Sequence, residues 1–313
     1  MGLRQIGLLV LLSALWGGVF ILIKYALHGF SATEVSFLRA AVGAPALLAI
    51  VGIEGGEARA ALRDILRRPG PAFLLGALAI AGPFSLMALG ELSVPAGLSG
   101  VLISTTPMFI AVFAPAFDHG AEVTRRQSIG LIIGLLGVAL VVGVHAVGSL
   151  GQFLGALALL GAAASGALSS FVVKVHYRDK GIPASTTSFF ALSTGAVLAL
   201  PLALIRVPYE LPGAPAVLAV VVLGLVGTAL AFMLYYALIN EIGEERATIA
   251  TYLSPIFALG YGALLLGETI TVAAIIGLAL IIIGAKITLQ GGAAERRSGD
   301  EGRARLRVHP PFH

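Results

Sequence analysis

The sequence predicts an all-α membrane protein in which ten transmembrane helices form two inverted five-helix repeats around a central cavity. The first observation is composition: 58% of the 313 residues are hydrophobic, 12% are charged and the mean hydropathy is +0.98. A soluble domain has about 45–50% apolar and about 25% charged residues. The second observation is a series of apolar runs, and the third is an internal repeat. Composition alone excludes a soluble globular protein.

Composition also excludes several classes of function. The chain contains no Cys, so it carries neither disulfide bonds nor thiol chemistry. Its 40 glycines are nearly twice the usual ~7% share and are typical of closely packed membrane helices. The net charge of +4 and the pI near 9.6 do not indicate a nucleic-acid partner, because the basic residues lie in loops and in the tail, where membrane topology explains them.

Ten apolar runs are each long enough to cross the ~30 Å hydrocarbon core of a bilayer. The first run continues through Ile21–Ile23 to Lys24 without a small-residue cleavage site, so we interpret it as a retained helix rather than a signal peptide. In chain order the predicted helices are 6–27, 34–53, 72–91, 96–117, 128–146, 152–175, 184–205, 215–239, 247–266 and 271–289.

The distribution of Lys and Arg predicts the orientation of these helices. With ten crossings and the amino terminus inside, 17 of the 20 basic residues fall on the inner side. The three exceptions, at or near outer helix ends, are Lys24, Arg39 and Arg206. Basic residues concentrate on the cytoplasmic side of membrane proteins. One helix too many or too few would scramble this separation, so we expect both termini in the cytoplasm.

Two stretches outside the apolar runs are distinctive: one is amphipathic and the other is a polar, basic tail. Residues 58–66 place Ala58, Ala61, Leu62, Ile65 and Leu66 on one helical face and Arg59 and Arg63 on another, which predicts a short interfacial helix. The basic tail, 290–313, is polar and has no periodicity, which predicts disorder with an attraction to lipid headgroups.

The chain resembles itself at an offset near 148 residues. Each half, 1–146 and 147–289, contains five predicted helices, and an odd number requires the second half to be inverted in the membrane. This arrangement is typical of secondary transporters, because two near-equivalent halves exchange inward-open and outward-open shapes at small energetic cost. Matching residues are Leu75-Gly76 with Leu223-Gly224, Thr106-Pro107 with Ser254-Pro255, Gly130 and Gly137 with Gly277 and Gly284, and Lys24 with Lys174.

Several short motifs occur in the order and spacing of a known family. They are A-L-W-G-G at 14–18, Lys24, F-L-R at 37–39, L-G at 223–224, Y-Y-A-L at 235–238, S-P at 254–255 and L-L-G-E at 265–268. Through them the chain, over about 6–289, resembles the ten-helix EamA-type transporters of the drug/metabolite transporter superfamily. The resemblance implies export of amino acids or other metabolites. The first half lacks the tight glycine-glutamate turn, since 118–122 reads D-H-G-A-E, and we interpret this glutamate as turn structure.

Two prolines at equivalent positions, Pro107 and Pro255, predict paired kinks that open a central cavity, because proline removes a backbone donor and frees a carbonyl. The hydroxyls before them are candidate substrate contacts near the bilayer centre. The alternative is that they bond back to their own helix, as Ser and Thr often do. These hydroxyl-bearing residues are Ser104, Thr105, Thr106, Thr251, Tyr252 and Ser254.

Three aromatic residues are further candidates for substrate contact. Trp16, the only tryptophan, lies near the middle of the first helix, away from the interface where tryptophan is common, and its N–H needs a partner there. Tyr235 and Tyr236 lie deep in the eighth helix, and adjacent helical residues point about 100° apart, so we expect only one of them to face a cavity. A packed core position remains the alternative for Trp16.

Charged residues lie within a turn or two of helix ends, and no acid lies clearly at the midplane. We therefore expect facilitated export or exchange of a neutral or zwitterionic solute without a deep carboxylate switch. Lys24, Arg39, Glu91 and Glu241 are possible gate charges, and Glu91, Glu241 or His145 are the groups available for coupling. Snorkelling to headgroups is the favoured alternative for Lys24, and the lack of a central basic cluster argues against phosphorylated solutes.

Other classes of function compete weakly with a carrier. A channel is one alternative, and G-L-S-G at 97–100 has the form of an intramembrane serine protease motif, but no histidine lies at clear catalytic depth in a helix. We expect no enzyme activity and no cofactor or metal; the partners are a small-molecule substrate and the lipid bilayer. The use of 16 Arg against 4 Lys, with abundant Ala and Gly, indicates a GC-rich bacterial genome and hence the inner membrane. Oligomeric state is left open.

Overall fold

The structure, a computed structural model, describes residues 2–67, 69–117, 124–146, 149–177, 180–205, 211–242, 244–247 and 249–288, and this part of the chain is helical with no strand. The helices are α1 Leu3–Ala26, α2 Ala32–Glu54, α3 Gly56–Arg67, α4 Gly70–Glu91, α5 Ala96–Phe117, α6 Arg125–Ala146, α7 Leu150–His176, α8 Ala184–Ala203, α9 214–242, α10 Glu244–Ala247, α11 Ile249–Leu266 and α12 Val272–Thr288.

The long apolar helices confirm the prediction of an all-α, multi-pass membrane protein. Within the described ranges, nine helices are long and apolar enough to cross a bilayer, and each coincides with a predicted run. The tenth run forms α12, which falls in the class of apolar helices of 10–17 residues, just below the usual length of a spanning helix. The tenth crossing therefore stays a prediction. The tail 290–313 and the 118–122 turn lie outside the described residues.

The predicted interfacial helix is α3. Ala58, Ala61 and Ile65 are buried on one face, while Arg59 and Arg63 on the other side are exposed. Leu66 departs from the predicted apolar face, because it is 62% exposed. The helix is amphipathic by the pattern that the sequence predicts, and it connects α2 to α4.

Helices from the two halves of the chain interleave. The first helix, α1, packs along α11, while α2 packs against α8 and α9, and α4 packs against α7 and α8. The fifth helix, α5, contacts both α7 and α11. Much of the helix packing therefore joins one half of the chain to the other.

The last helices of the two halves, α6 and α12, touch backbone to backbone through glycines. A Cβ placed on Gly130 would lie 2.6 Å from the Gly284 carbonyl oxygen, and one on Gly284 would lie 2.6 Å from the Gly130 carbonyl oxygen. Gly137 and Gly277 meet in the same reciprocal way, at 2.7 and 2.9 Å. Only glycine allows so close an approach.

A second set of glycine contacts joins the middle helices. A Cβ on Gly195 of α8 would lie 3.1 Å from the Gly76 carbonyl oxygen of α4, and a Cβ on Gly43 of α2 would lie 3.0 Å from the Gly224 carbonyl oxygen of α9. Gly76 and Gly224 are separated by 148 residues, the offset of the sequence repeat. The contact of α4 with α8 thus has a counterpart in the contact of α9 with α2.

Two π-helical turns interrupt α4 and α9, at Ala77–Ala81 and Leu225–Leu230. In α4 the turn ends where Gly82 donates to the Ala77 carbonyl, next to Pro83, which has no N–H. In α9 the Thr228 hydroxyl donates to the Leu223 carbonyl, five residues back, at 2.9 Å. The two turns begin 148 residues apart, and π turns are frequent at functional sites.

One small cavity lies in the described part of the bundle. It has a volume of about 20 Å³ and lies between α5, α6 and α7, and its lining includes Leu98, Leu102, Val141 and Ala156. A cavity of this size holds at most one or two waters. The central cavity that the sequence predicts stays a prediction.

Candidate functional site

The helix break that the sequence predicts at Pro107 is present. The fifth helix, α5, consists of Ala96–Ile103 and Thr106–Phe117, separated by a turn at Ser104 and Thr105. Proline has no N–H to bond the carbonyl four residues back, and the hydroxyl of Thr106 donates to that Ile103 carbonyl instead, at 2.8 Å.

The three candidate hydroxyls of α5 are engaged with their own helix. Ser104 donates to the Val101 carbonyl at 2.6 Å and Thr105 to the Leu102 carbonyl at 2.7 Å, which is the same pattern as Thr106. In this conformation these hydroxyls bond back to their own helix, which is the alternative given in the sequence analysis. Substrate contact by these residues stays a prediction and needs a different rotamer.

The matching proline in α11 behaves differently, since Ile249–Leu266 runs through Pro255 as one helix. Thr251 and Ser254 are half-buried. Close by, α1 crosses α11: a Cβ on Gly17 would lie 2.7 Å from the Ser254 carbonyl oxygen. The two proline positions thus differ: a turn interrupts α5 before Pro107, whereas α11 is continuous at Pro255 and is closely crossed by α1.

The aromatic candidates Trp16 and Tyr235 come together. Their rings lie 5.2 Å apart between centroids, tilted by 53°, a favourable arrangement for an aromatic pair. Both are partly buried against the apolar cluster of Leu12, Leu238 and their neighbours. Tyr236 lies in α9, and its side chain is outside the described residues. The Trp16–Tyr235 pair joins the first half of the chain to the second.

Tyr252 carries a buried hydroxyl that has no hydrogen-bond partner among the residues that the structure describes. Its ring packs against the apolar cluster that includes Val19, Phe20 and Ala258. A buried polar group without a partner costs about 1–3 kcal/mol. Among the candidate hydroxyls of α5 and α11, we therefore single out that of Tyr252, which is buried and makes no hydrogen bond within the described residues.

Arg39 is buried in the helix bundle at 6% exposure. Its Nε donates to the Thr228 hydroxyl in the π turn of α9 at 2.8 Å, and its guanidinium lies 3.7 Å from the centre of the Phe84 ring of α4. Its Nη1 has no partner in the described residues. Arg39 thus joins α2, α4 and α9 through a hydrogen bond and a cation–π contact, and its Nη1 remains available to donate.

The gate charges Lys24 and Glu91 are adjacent. The Lys24 ammonium donates to the main-chain carbonyl of Glu91 at the end of α4, and snorkelling to headgroups, the alternative that the sequence favoured, stays untested. Glu91 itself is fully buried, at 0% exposure, and neither carboxyl oxygen has a partner within the described ranges. We call this end of the bundle, where α1 and α4 end and α5 begins, the Lys24 face.

Glu268 has a role that the sequence did not indicate. Its two carboxylate oxygens accept hydrogen bonds from the main-chain N–H groups of Ala96 and Gly97, at 2.6 and 2.9 Å. It therefore caps the amino terminus of α5, where a negative charge is stabilised by the helix dipole. The L-L-G-E motif gives no sign of which helix of the other half this glutamate contacts.

The last gate candidate, Glu241, lies at the opposite end of the bundle. It forms an ion pair with Arg4 at the start of α1, with 3.2 Å between Nη2 and Oε1. The Arg4 side chain is 77% exposed, and exposed pairs contribute only about 0–1 kcal/mol. Lys24, Arg39 and Glu91 are therefore neighbours in the bundle, whereas Glu241 lies apart from them.

The serine of the G-L-S-G motif forms a local hydrogen bond. The Ser99 hydroxyl donates to the Pro95 carbonyl at 3.0 Å, and Ser99 is fully buried. No group of His, Asp and Glu that could hold a metal occurs in the described part of the chain.

Several known transporters are similar to this chain. The uncharacterized transporter YoaV of Bacillus subtilis is 26% identical over 88% of this chain and 93% of its own length. The uncharacterized inner membrane transporter YedA of Escherichia coli K12 is 26% identical over 91% and 90%. A probable terminal-alkyne amino-acid exporter of Streptantibioticus cattleyicolor is 29% identical over 94% and 96%.

A solved crystal structure shares the fold. It covers 91% of this chain and 97% of its own, with a TM-score of 0.63 and 19% sequence identity. The profile of the EamA-like transporter family matches residues 4–143 and again 153–290. The resemblance inferred from the motifs is confirmed: the chain is a multi-pass membrane protein that belongs to the EamA-like transporter family.

Proposed function

We propose that this protein is a secondary transporter that exports or exchanges small neutral or zwitterionic metabolites, with amino acids as the first class, by alternating access. The amino-acid assignment is supported by the exporter of Streptantibioticus cattleyicolor, which aligns over 94% of this chain. A zwitterion needs one or two polar contacts rather than a cationic cluster, and single buried donors such as the Arg39 Nη1 fit that need.

The inverted five-helix repeats, 1–146 and 147–289, are part of the proposal. The family match falls in two ranges, one in each half. Reciprocal contacts such as Gly130 with Gly284 and Gly277 with Gly137 are those expected of two halves related by a pseudo-twofold axis. Alternating access then follows when the contacts of one half take the shape of the other.

The observation that carries the site is the unpartnered hydroxyl of Tyr252, buried in α11. A polar group left without a partner in a buried place is stabilised when a ligand supplies one. Trp16 and Tyr235 add an aromatic surface at the contact of α1 with α9. We propose that substrate bonds to Tyr252 when the cavity opens.

Counterflow in proteoliposomes tests this function. Vesicles are preloaded with pooled unlabelled amino acids, and uptake of labelled aromatic, aliphatic and hydroxylated amino acids is followed. Tyr252→Phe removes only the hydroxyl, and the loss of one hydrogen bond of about 0.5–1.5 kcal/mol predicts a roughly 2- to 10-fold rise in KM. Tyr261→Phe, on the same helix, is the matched control.

Each outcome has a defined meaning. Saturable counterflow that weakens in Tyr252→Phe and not in Tyr261→Phe supports the carrier and its site. Uptake without saturation or exchange indicates a channel. Absence of exchange for every amino acid refutes the substrate class, and equal behaviour of the two variants refutes the role of Tyr252.

The orientation is also proposed, with both termini in the cytoplasm of a bacterial inner membrane. Because the chain has no native Cys, a single cysteine at the exposed Glu57 of α3 provides a clean label site. We expect a membrane-impermeant maleimide to label Glu57→Cys only after the cells are opened. Labelling of intact cells would reverse the orientation.

A further inference from the structure

The carboxyl of Glu91 has an unusual environment. The side chain is fully buried at the end of α4, and neither oxygen has a hydrogen-bond partner in the part of the chain that is described. An ionised carboxylate without partners is very costly in such a place, whereas the protonated acid is a neutral group. The surroundings therefore favour a carboxyl that carries its proton in this conformation.

The charged groups around Glu91 come from three elements, and none of them is bonded to its carboxyl oxygens in the described part of the chain. They are Lys24 of α1, Arg39 of α2 and Glu268 after α11. Lys24 donates to the main-chain carbonyl of Glu91, and Arg39 donates to Thr228. Glu268 is held by the N–H groups at the start of α5.

The helix that packs on this end of α4 adds no charge at the contact. A Cβ on Gly90 would lie 2.8 Å from the Gly155 carbonyl oxygen of α7, and the Leu159 side chain lies against the same point. Water is thus excluded by close packing on one side, while Lys24 lies on another.

We propose that Glu91 is the proton-binding site of this transporter, which holds a proton while the Lys24 face is closed and exchanges it with water when that face opens. On release the O–H bond breaks, its electron pair stays on the carboxylate, and the proton passes to water. The Lys24 ammonium already donates to the main-chain carbonyl of Glu91, so a small rearrangement lets it pair with the carboxylate that forms. This inference rests on the proposed alternating access.

The proposal replaces the sequence-based expectation of uncoupled transport. That expectation placed no acid at the midplane, and Glu91 does lie at a helix end. Glu91 is buried in this closed conformation, and in the proposed cycle its surroundings change when the Lys24 face opens, which is what a coupling residue needs. A residue that merely fills space there would show no protonation linked to transport.

The first test reads protonation directly and needs no substrate. In the infrared spectrum of the full-length protein in lipid at neutral pH, we expect the carbonyl stretch of a protonated carboxylic acid. That band should be absent from Glu91→Gln and present in Glu57→Gln, an exposed acid of α3. A wild-type spectrum without the band, or a band that persists unchanged in Glu91→Gln, overturns the proposal.

The second test measures coupling. A pH difference of one unit across the vesicle membrane supports about tenfold accumulation for one proton per substrate. We expect accumulation to respond to the gradient in the wild type and in Glu57→Gln, and to lose that response in Glu91→Gln. Lys24→Gln removes a neighbouring positive charge, so it should shift the infrared titration of Glu91 to higher pH.

The failures of the two proposals are distinguishable. If the wild type exchanges amino acids but ignores the pH gradient, the coupling is wrong and the transport function stands. If no amino acid is exchanged, the substrate class is wrong, and the infrared band still decides whether Glu91 holds a proton.

Discussion

Replacing Glu268 should loosen the start of α5 more than any change to an exposed acid. The carboxylate accepts two main-chain hydrogen bonds, at 2.6 Å from Ala96 and 2.9 Å from Gly97. Glu268→Ala leaves both N–H groups without this partner, and each unsatisfied buried donor costs about 1–3 kcal/mol. Because Glu268 is only partly buried and water can replace it in part, we expect a total loss of about 2–4 kcal/mol.

Glu268→Gln separates charge from hydrogen bonding. The amide oxygen keeps one acceptor, whereas the negative charge at the helix amino terminus is lost, which costs about 0.3–1 kcal/mol, and a charge-assisted hydrogen bond becomes a weaker neutral one. We expect a loss of about 1–2 kcal/mol, between the wild type and Glu268→Ala. The order of the variants is therefore a sharper expectation than either magnitude.

The assay is equilibrium unfolding in mixed detergent micelles, followed by far-ultraviolet circular dichroism. Glu57→Gln is the control, because Glu57 is exposed and surface substitutions usually change stability by less than about 0.5 kcal/mol. A Glu268→Ala variant as stable as this control would refute the capping role and the contact between L-L-G-E and α5.

Two further substitutions test the contacts between the halves by the same unfolding assay. Gly284→Val places a side chain where a Cβ would already lie 2.6 Å from the Gly130 carbonyl. We expect this overpacking to lower the free energy of unfolding by about 1–3 kcal/mol or more. Stability equal to the wild type would contradict the close contact of α6 with α12. Thr228→Val removes the acceptor of the Arg39 Nε at nearly constant side-chain volume, and we expect the free energy of unfolding to fall by about 1.5–3 kcal/mol. Thr228→Ser keeps the hydroxyl and should retain most of the stability. Equal losses in the two variants would contradict the hydrogen bond.

The helices were predictable because their signal is local. An apolar run of about 20 residues is sufficient to identify a transmembrane helix, and the described helices follow the predicted runs closely. The break before Pro107 was predictable for the same reason, since the missing donor is a property of one residue. At Pro255 the helix α11 continues, and a kink there stays a prediction, because a proline inside a helix can bend it without ending it.

The candidate site was less predictable because its contacts join distant parts of the chain. Glu268 and Ala96 are 172 residues apart, and Arg39 and Thr228 are 189 apart. No periodicity in the sequence encodes which helix a charge will face. The burial of Glu91 was also hidden, because a residue at the end of an apolar run normally reaches water or headgroups.

The pairing of Trp16 with Tyr235 gives the protein a natural optical reporter. Trp16 is the only tryptophan in the chain, and its ring centroid lies 5.2 Å from that of Tyr235 on the other half. Light absorbed selectively by the indole is therefore emitted from one known place, at the contact of α1 with α9. Any rearrangement that separates those helices changes the surroundings of a single fluorophore, so the cycle of the unlabelled protein can be followed by its own emission.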